Sequence, residues 1–164
     1  MDPQLCFLIS VVFSFVSWGL VTARYFWPWL RTKPGPERFR PILLLHSFRF
    51  VGLAFLVPGV VSPDLPAAFA EPAAYGDLIA FLLALAALGS LGTRIGSLLL
   101  WVFNIWGAAD LLFAYYQGVI GAPFPVTGLV AGYFIPTVLV PLLLITHGLS
   151  FRMLLTSEPG ATQP

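Results

Sequence analysis

Apolar residues run along this chain in five long blocks, with no strand-like alternation. Positions 4–30, 41–61, 74–92, 95–117 and 126–151 are almost continuously apolar. Each is long enough for a bilayer crossing, which takes about 20 residues at ~1.5 Å rise per residue. The third and fourth blocks are separated only by Gly92-Thr93-Arg94. Read as one helix, 74–117 would be about 65 Å long, twice the hydrocarbon thickness, so a tight hairpin at Gly89–Arg94 is expected. The pattern predicts an all-α polytopic membrane protein: a single five-helix transmembrane bundle over residues 1–155. A disordered cytoplasmic tail, 156–164, should follow it.

Composition narrows the class further. Of 164 residues, 59% are hydrophobic and only 9% charged, with a mean hydropathy of +0.91. A soluble domain carries about 25% charged residues, so neither a soluble fold nor a solvated disordered chain fits. Glycine and proline follow no repeat period, which removes collagen-like and low-complexity classes. A net charge of +1 without a broad basic face argues against nucleic acid. The single cysteine, Cys6, allows no internal disulfide and no multi-cysteine metal site. The first block does not read as a cleavable signal peptide, since its head is acidic and its positive charge follows the apolar run.

Basic residues set the expected orientation. Arg31, Lys33, Arg38 and Arg40 follow the first block, Arg94 sits in the 3–4 hairpin, and Arg152 follows the fifth. Residues 1–3, 62–73 and 118–125 hold no Lys or Arg. Because cytoplasmic loops collect Lys and Arg, the N-terminus is expected outside and the C-terminus in the cytoplasm. Trp27 and Trp29 at one end, and Tyr115 and Tyr116 at the other, suit interfacial belts. The segment Ser62–Pro72 reads as a Pro/Ala-rich outer loop.

An ionisable group inside a span costs at least ~2.5–3.5 kcal/mol at the bilayer centre, so each one asks for a reason. In span 1, Ser10, Ser14 and Ser17 suit close helix packing, and Arg24 suits snorkelling to the interface. In span 2, His46 and Arg49 are three apart and share a face that Gly52 continues. Span 4 carries Gly96, Asn104, Gly107, Asp110 and Ala114 in one broad polar and small-residue stripe. Span 5 aligns Tyr133, Thr137, Leu144, His147 and Phe151, with Pro136 and Pro141 as kink points. Span 3 offers only an Ala80/Ala84/Ala87 packing stripe and no chemistry.

Depth counting places His46 and His147 about 7–8 Å beneath the cytoplasmic boundary, Arg49 and Asn104 about 12–15 Å deep, and Asp110 about 24 Å in. An Arg49–Asp110 salt bridge is therefore not expected unless helix tilt closes the gap. The two histidines, the only ones in the chain, are expected to face each other across a polar site in the cytoplasmic half. His46, His147, Arg49 and Asn104 would build it, with Arg24 at its rim. The sharpest cofactor reading is a haem b held between His46 and His147 as axial metal ligands, Phe48, Phe50, Trp101, Phe103 and Phe151 lining the slot. The competing reading is transport of a proton, ion or small solute through Arg49, Asn104 and Asp110. A third is a non-catalytic accessory subunit, packed against a membrane-protein partner or a second copy of itself. The lipid bilayer is the common partner of all three. No nucleophile–base pair, zinc ligand set or phosphate-cradling loop stands out, which points away from an enzyme.

Overall fold

The computed structural model describes residues 1–156, and the tail expected over 157–164 lies outside the described residues. Five helices are long and apolar enough to cross a membrane, as a multi-pass membrane protein requires. They are α1 (Pro3–Arg31), α2 (Gly35–Leu56), α3 (Ala67–Gly89), α4 (Arg94–Gly121) and α5 (Ile135–Thr156). No strand occurs among the described residues.

The number of helices agrees with the apolar blocks, but their ends move. α2 begins six residues before position 41, in a 3₁₀ turn over Gly35–Phe39 where Pro36 sits in the first turn. A backbone N–H there would have no intrahelical acceptor, so proline's lack of one costs nothing. Past Phe48 the same helix tightens again into 3₁₀ geometry over Arg49–Leu56. α3 starts at Ala67 and absorbs half of the expected outer loop, with Pro72 inside the helix. The 3–4 hairpin lies where the sequence puts it. Thr93 caps α4 by accepting a 2.9 Å hydrogen bond from the Gly96 N–H, and Gly92 supplies the positive φ of the turn.

The fifth block is the largest departure. Its first part, Val126–Tyr133, is a separate 3₁₀ segment broken at Val130 (φ 47°), so Tyr133 precedes α5 and does not share its regular face. Backbone bonds explain the break. Ser62 N–H donates to the Gly128 carbonyl (2.9 Å) and Gly132 N–H to the Val60 carbonyl (3.2 Å), tying the segment to the loop after α2. A wide π-turn over Ile135–Leu139, containing Pro136, then feeds α5.

α3 packs against both α2 and α4, while α5 packs against α1, α4 and α2. α1 is peripheral and touches chiefly α5, so most of its apolar surface faces outward. Two apolar clusters fill the interior. One, including Leu30, Ile42, Leu43, Ala84, Phe103 and Met153, lies at the end that carries the basic residues. The other, including Phe55, Phe69, Ala73, Leu111, Leu129 and Leu143, lies toward the opposite end. Between the two is a layer of buried charge.

Candidate functional site

Arg49 is the centre of that layer. Its guanidinium is enclosed on all sides and uses each of its nitrogens. Nε donates to Asp77 Oδ1 at 2.6 Å, Nη2 to Asp110 Oδ2 at 2.6 Å, and Nη1 to the Gly107 carbonyl at 3.1 Å. Nη1 also lies 3.4 Å from His147 Nε2. Charge-assisted bonds of this length are the strong ones, and the planar fork lets one side chain serve two carboxylates on different helices.

Three glycines make this closeness feasible. A Cβ at Gly52 would run into the Asp77 carboxylate, and one at Gly76 into that of Asp110. At Gly107 it would stand 2.5 Å from His147 Nε2 and 2.8 Å from Arg49 Nη1. The small residues of α2, α3 and α4 thus do more than let helix backbones approach, as small residues commonly do in bilayers. They are the floor on which charged side chains of neighbouring helices lie.

Hydrogen-bond partners assign the histidine tautomers. His147 Nε2 faces an arginine N–H, which can only donate, so this nitrogen accepts. Nδ1 then carries the proton and donates to Asn104 Oδ1 at 2.7 Å. Thr146 spends its hydroxyl proton on the carbonyls of its own helix, Leu142 and Leu143, and so accepts from His46 Nε2 at 2.9 Å. Both imidazoles are neutral in this arrangement. Their rings are in contact, with centroids 4.3 Å apart, and Phe103 covers both. Among the described residues three fully enclosed side-chain polar atoms keep no hydrogen-bond partner: His46 Nδ1, Asn104 Nδ2 and Ser150 Oγ.

His46, Arg49, Asn104 and His147 therefore meet, on α2, α4 and α5. Arg24 does not join them, because it lies exposed on the outer face of α1. Asp110 does join, contrary to the depth count. Starting α2 at Gly35 lowers Arg49 to roughly 22 Å from the basic end, close to the ~24 Å of Asp110. Asp77 was missed outright. Placing the start of span 3 at position 74 left it at the interface, whereas the true start at Ala67 puts it at mid-helix. The rule that an intramembrane carboxylate signals a site would have flagged it, had the boundary been right.

The histidine pair does not fit a haem. A bis-histidine iron sits ~2 Å from one nitrogen of each ring, with the macrocycle between them. Here the rings touch, His147 has both nitrogens engaged, and His46 has Nε2 engaged. Among the described residues no group of three or more His, Cys, Asp or Glu side chains is placed to hold a metal ion.

Above the carboxylates, away from the basic end, lies a cavity of about 60 Å³. Phe7, Phe55, Phe69, Tyr115 and Phe124 wall it, and Asp77 and Asp110 form its polar floor. Among its lining residues Gln4 and Val119 are exposed and mark its outer edge. The arrangement has a definite electrostatic character. One guanidinium faces two carboxylates, and each carboxylate side chain is 9% exposed while that of Arg49 is 0% exposed. What can be reached from the cavity is therefore negative.

No curated protein and no solved structure matches the chain. A family model for a domain of unknown function, DUF8737, matches residues 6–155. That stretch contains all five helices except the ends of the first and last, and the chain accordingly belongs to the DUF8737 family.

Proposed function

We propose that this protein moves protons across the membrane, alone or coupled to a solute, with Asp77 and Asp110 as the proton-binding groups. The reading rests on one observation: a single buried guanidinium held between two carboxylates that line a cavity. With both carboxylates ionised and both imidazoles neutral, the buried layer carries a charge of −1. An uncompensated charge in hydrocarbon is expensive, and one added proton removes it. Arg49 supplies the positive charge between the two carboxylates and is not the carrier. It holds one carboxylate ionised while the other takes up and releases the proton.

Geometry supplies a cavity on one side of the carboxylates and a run of buried polar groups on the other. The cavity leads from the carboxylates toward Gln4 and Val119. On the basic side the polar groups continue through His147 to Asn104 and His46, and the buried Ser150 follows one turn after His147 on α5. Imidazoles and hydroxyls are the groups that relay protons, and two such atoms, His46 Nδ1 and Ser150 Oγ, retain free hydrogen-bonding capacity among the described residues. Lys/Arg bias orients the bundle with the cavity on the outer side and the imidazoles on the cytoplasmic side.

The test is a proton flux. Purified protein reconstituted into liposomes with an internal pH dye should acidify them when a potassium diffusion potential makes the inside negative. Asp110→Asn should reduce the rate at least tenfold at unchanged protein incorporation. Wild-type liposomes no faster than empty ones, or an Asp110→Asn rate equal to wild type, would remove this reading.

A further inference from the structure

We infer that the cavity above Asp77 and Asp110 is a binding site for a small monovalent organic cation, an alkylammonium. Three independent features of the cavity select that class. The first is charge. The groups facing it or lying just beneath it from the packed helices are Arg49 on α2, Asp77 on α3, Asp110 on α4 and His147 on α5, and they sum to −1. α1 contributes only the neutral Gln4 and Phe7. The second is access: the carboxylates reach the cavity and the guanidinium does not. An anion would meet negative oxygens, and a neutral polar molecule would leave the excess charge in place.

The third feature is the wall. Five aromatic rings and aliphatic side chains surround the polar floor. Such a lining favours an alkyl tail over the full hydration shell of a sodium ion, and ring faces attract ammonium groups. Size sets the upper limit. A cavity of the order of 150 Å³ holds benzene, so 60 Å³ accommodates about two or three non-hydrogen atoms, an ammonium head with one or two carbons. A longer tail would extend past Val119.

Binding an ammonium and binding the proton are alternative ways of neutralising the same charge. Each ammonium cation that enters from neutral pH therefore displaces up to one proton, and the two compete. This inference shares its carboxylates with the proton reading, but it is read out by binding and not by flux.

The experiment uses the full chain in detergent micelles, titrated with ethylammonium chloride and followed by ligand-observed NMR saturation transfer. Parallel titrations use acetamide as a neutral molecule of similar size, and sodium chloride as an ionic control. Ethylammonium should saturate, with an affinity at least tenfold above that of acetamide, and should weaken as pH falls from 8 to 5. Ala114→Leu, which fills the cavity wall one turn from Asp110 while leaving both carboxylates in place, should abolish saturation. Ala73→Leu repeats the test at a second wall position, and a thermal-unfolding trace shows that each variant is folded. Equal affinity for ethylammonium and acetamide, or saturation that survives both folded variants, would overturn the inference. Proton flux without ammonium binding would discard the ligand site alone. Ammonium binding without proton flux would discard only the transport reading.

Discussion

Removing the Arg49 guanidinium tests the physical heart of this molecule. In Arg49→Met the side chain keeps much of its length and apolar stem but loses the charge. Two charge-assisted bonds disappear, to Asp77 and to Asp110, each 2.6 Å long. Such bonds contribute about 1.5–3 kcal/mol each, so the loss is about 3–6 kcal/mol. An independent estimate agrees, since breaking a buried ion pair from one side typically costs ~3–5 kcal/mol. Most of that cost belongs to the orphaned carboxylates, not to the missing arginine. The triple variant Arg49→Met/Asp77→Asn/Asp110→Asn removes those charges as well and should recover at least about 2 kcal/mol of the loss, because a buried amide costs less than a buried carboxylate. Equilibrium unfolding of the reconstituted or micellar protein in SDS at pH 7.5 measures both values. A single variant within about 1 kcal/mol of wild type would refute the reasoning, as would a triple variant no more stable than the single one. The same ordering is expected in the proton flux only for the single variant, because the triple one has no carboxylate left to carry a proton.

Two further outcomes are expected. Gly76→Ala should lower stability by about 1–3 kcal/mol, because its methyl occupies the place of the Asp110 carboxylate; Gly19→Ala, with open space around it, should be neutral or slightly stabilising in the same unfolding assay. In a Cys6→Ser background, cysteines at Lys33 and at Ala68 should react with an impermeant maleimide from opposite sides of intact vesicles, since both positions lie at helix ends separated by one crossing. Labelling of both from the same side would remove the crossing by α2 and with it the five-span arrangement.

The all-helical class, with five helices of bilayer length, and four residues of the candidate site are legible in the sequence alone. Five apolar blocks of bilayer length leave few other folds, because a backbone in hydrocarbon must satisfy its hydrogen bonds within each helix. His46, Arg49, Asn104 and His147 stand out as polar groups in apolar runs, and polarity at such positions is costly enough to be informative. What hydropathy does not carry is the helix boundary. Ser62–Pro72 reads as a loop by composition, yet Ala67 onward is helical, because packing of α3 against α2 and α4 outweighs an internal proline. That shift of about two helical turns hides Asp77 at a supposed interface, and the early 3₁₀ start of α2 hides the common depth of Arg49 and Asp110. Arg24 fails for the complementary reason: being charged inside an apolar run does not say which way a peripheral helix turns the residue. The glycines show the same division. Sequence marks Gly52, Gly76 and Gly107 as small positions on helix faces, and only the tertiary arrangement reveals which neighbour's charge each one accommodates. Local pattern determines which segments form helices long and apolar enough to cross a membrane. The pairing of one arginine with two aspartates from separate helices is a long-range contact, fixed by how the helices pack and at what depth each begins.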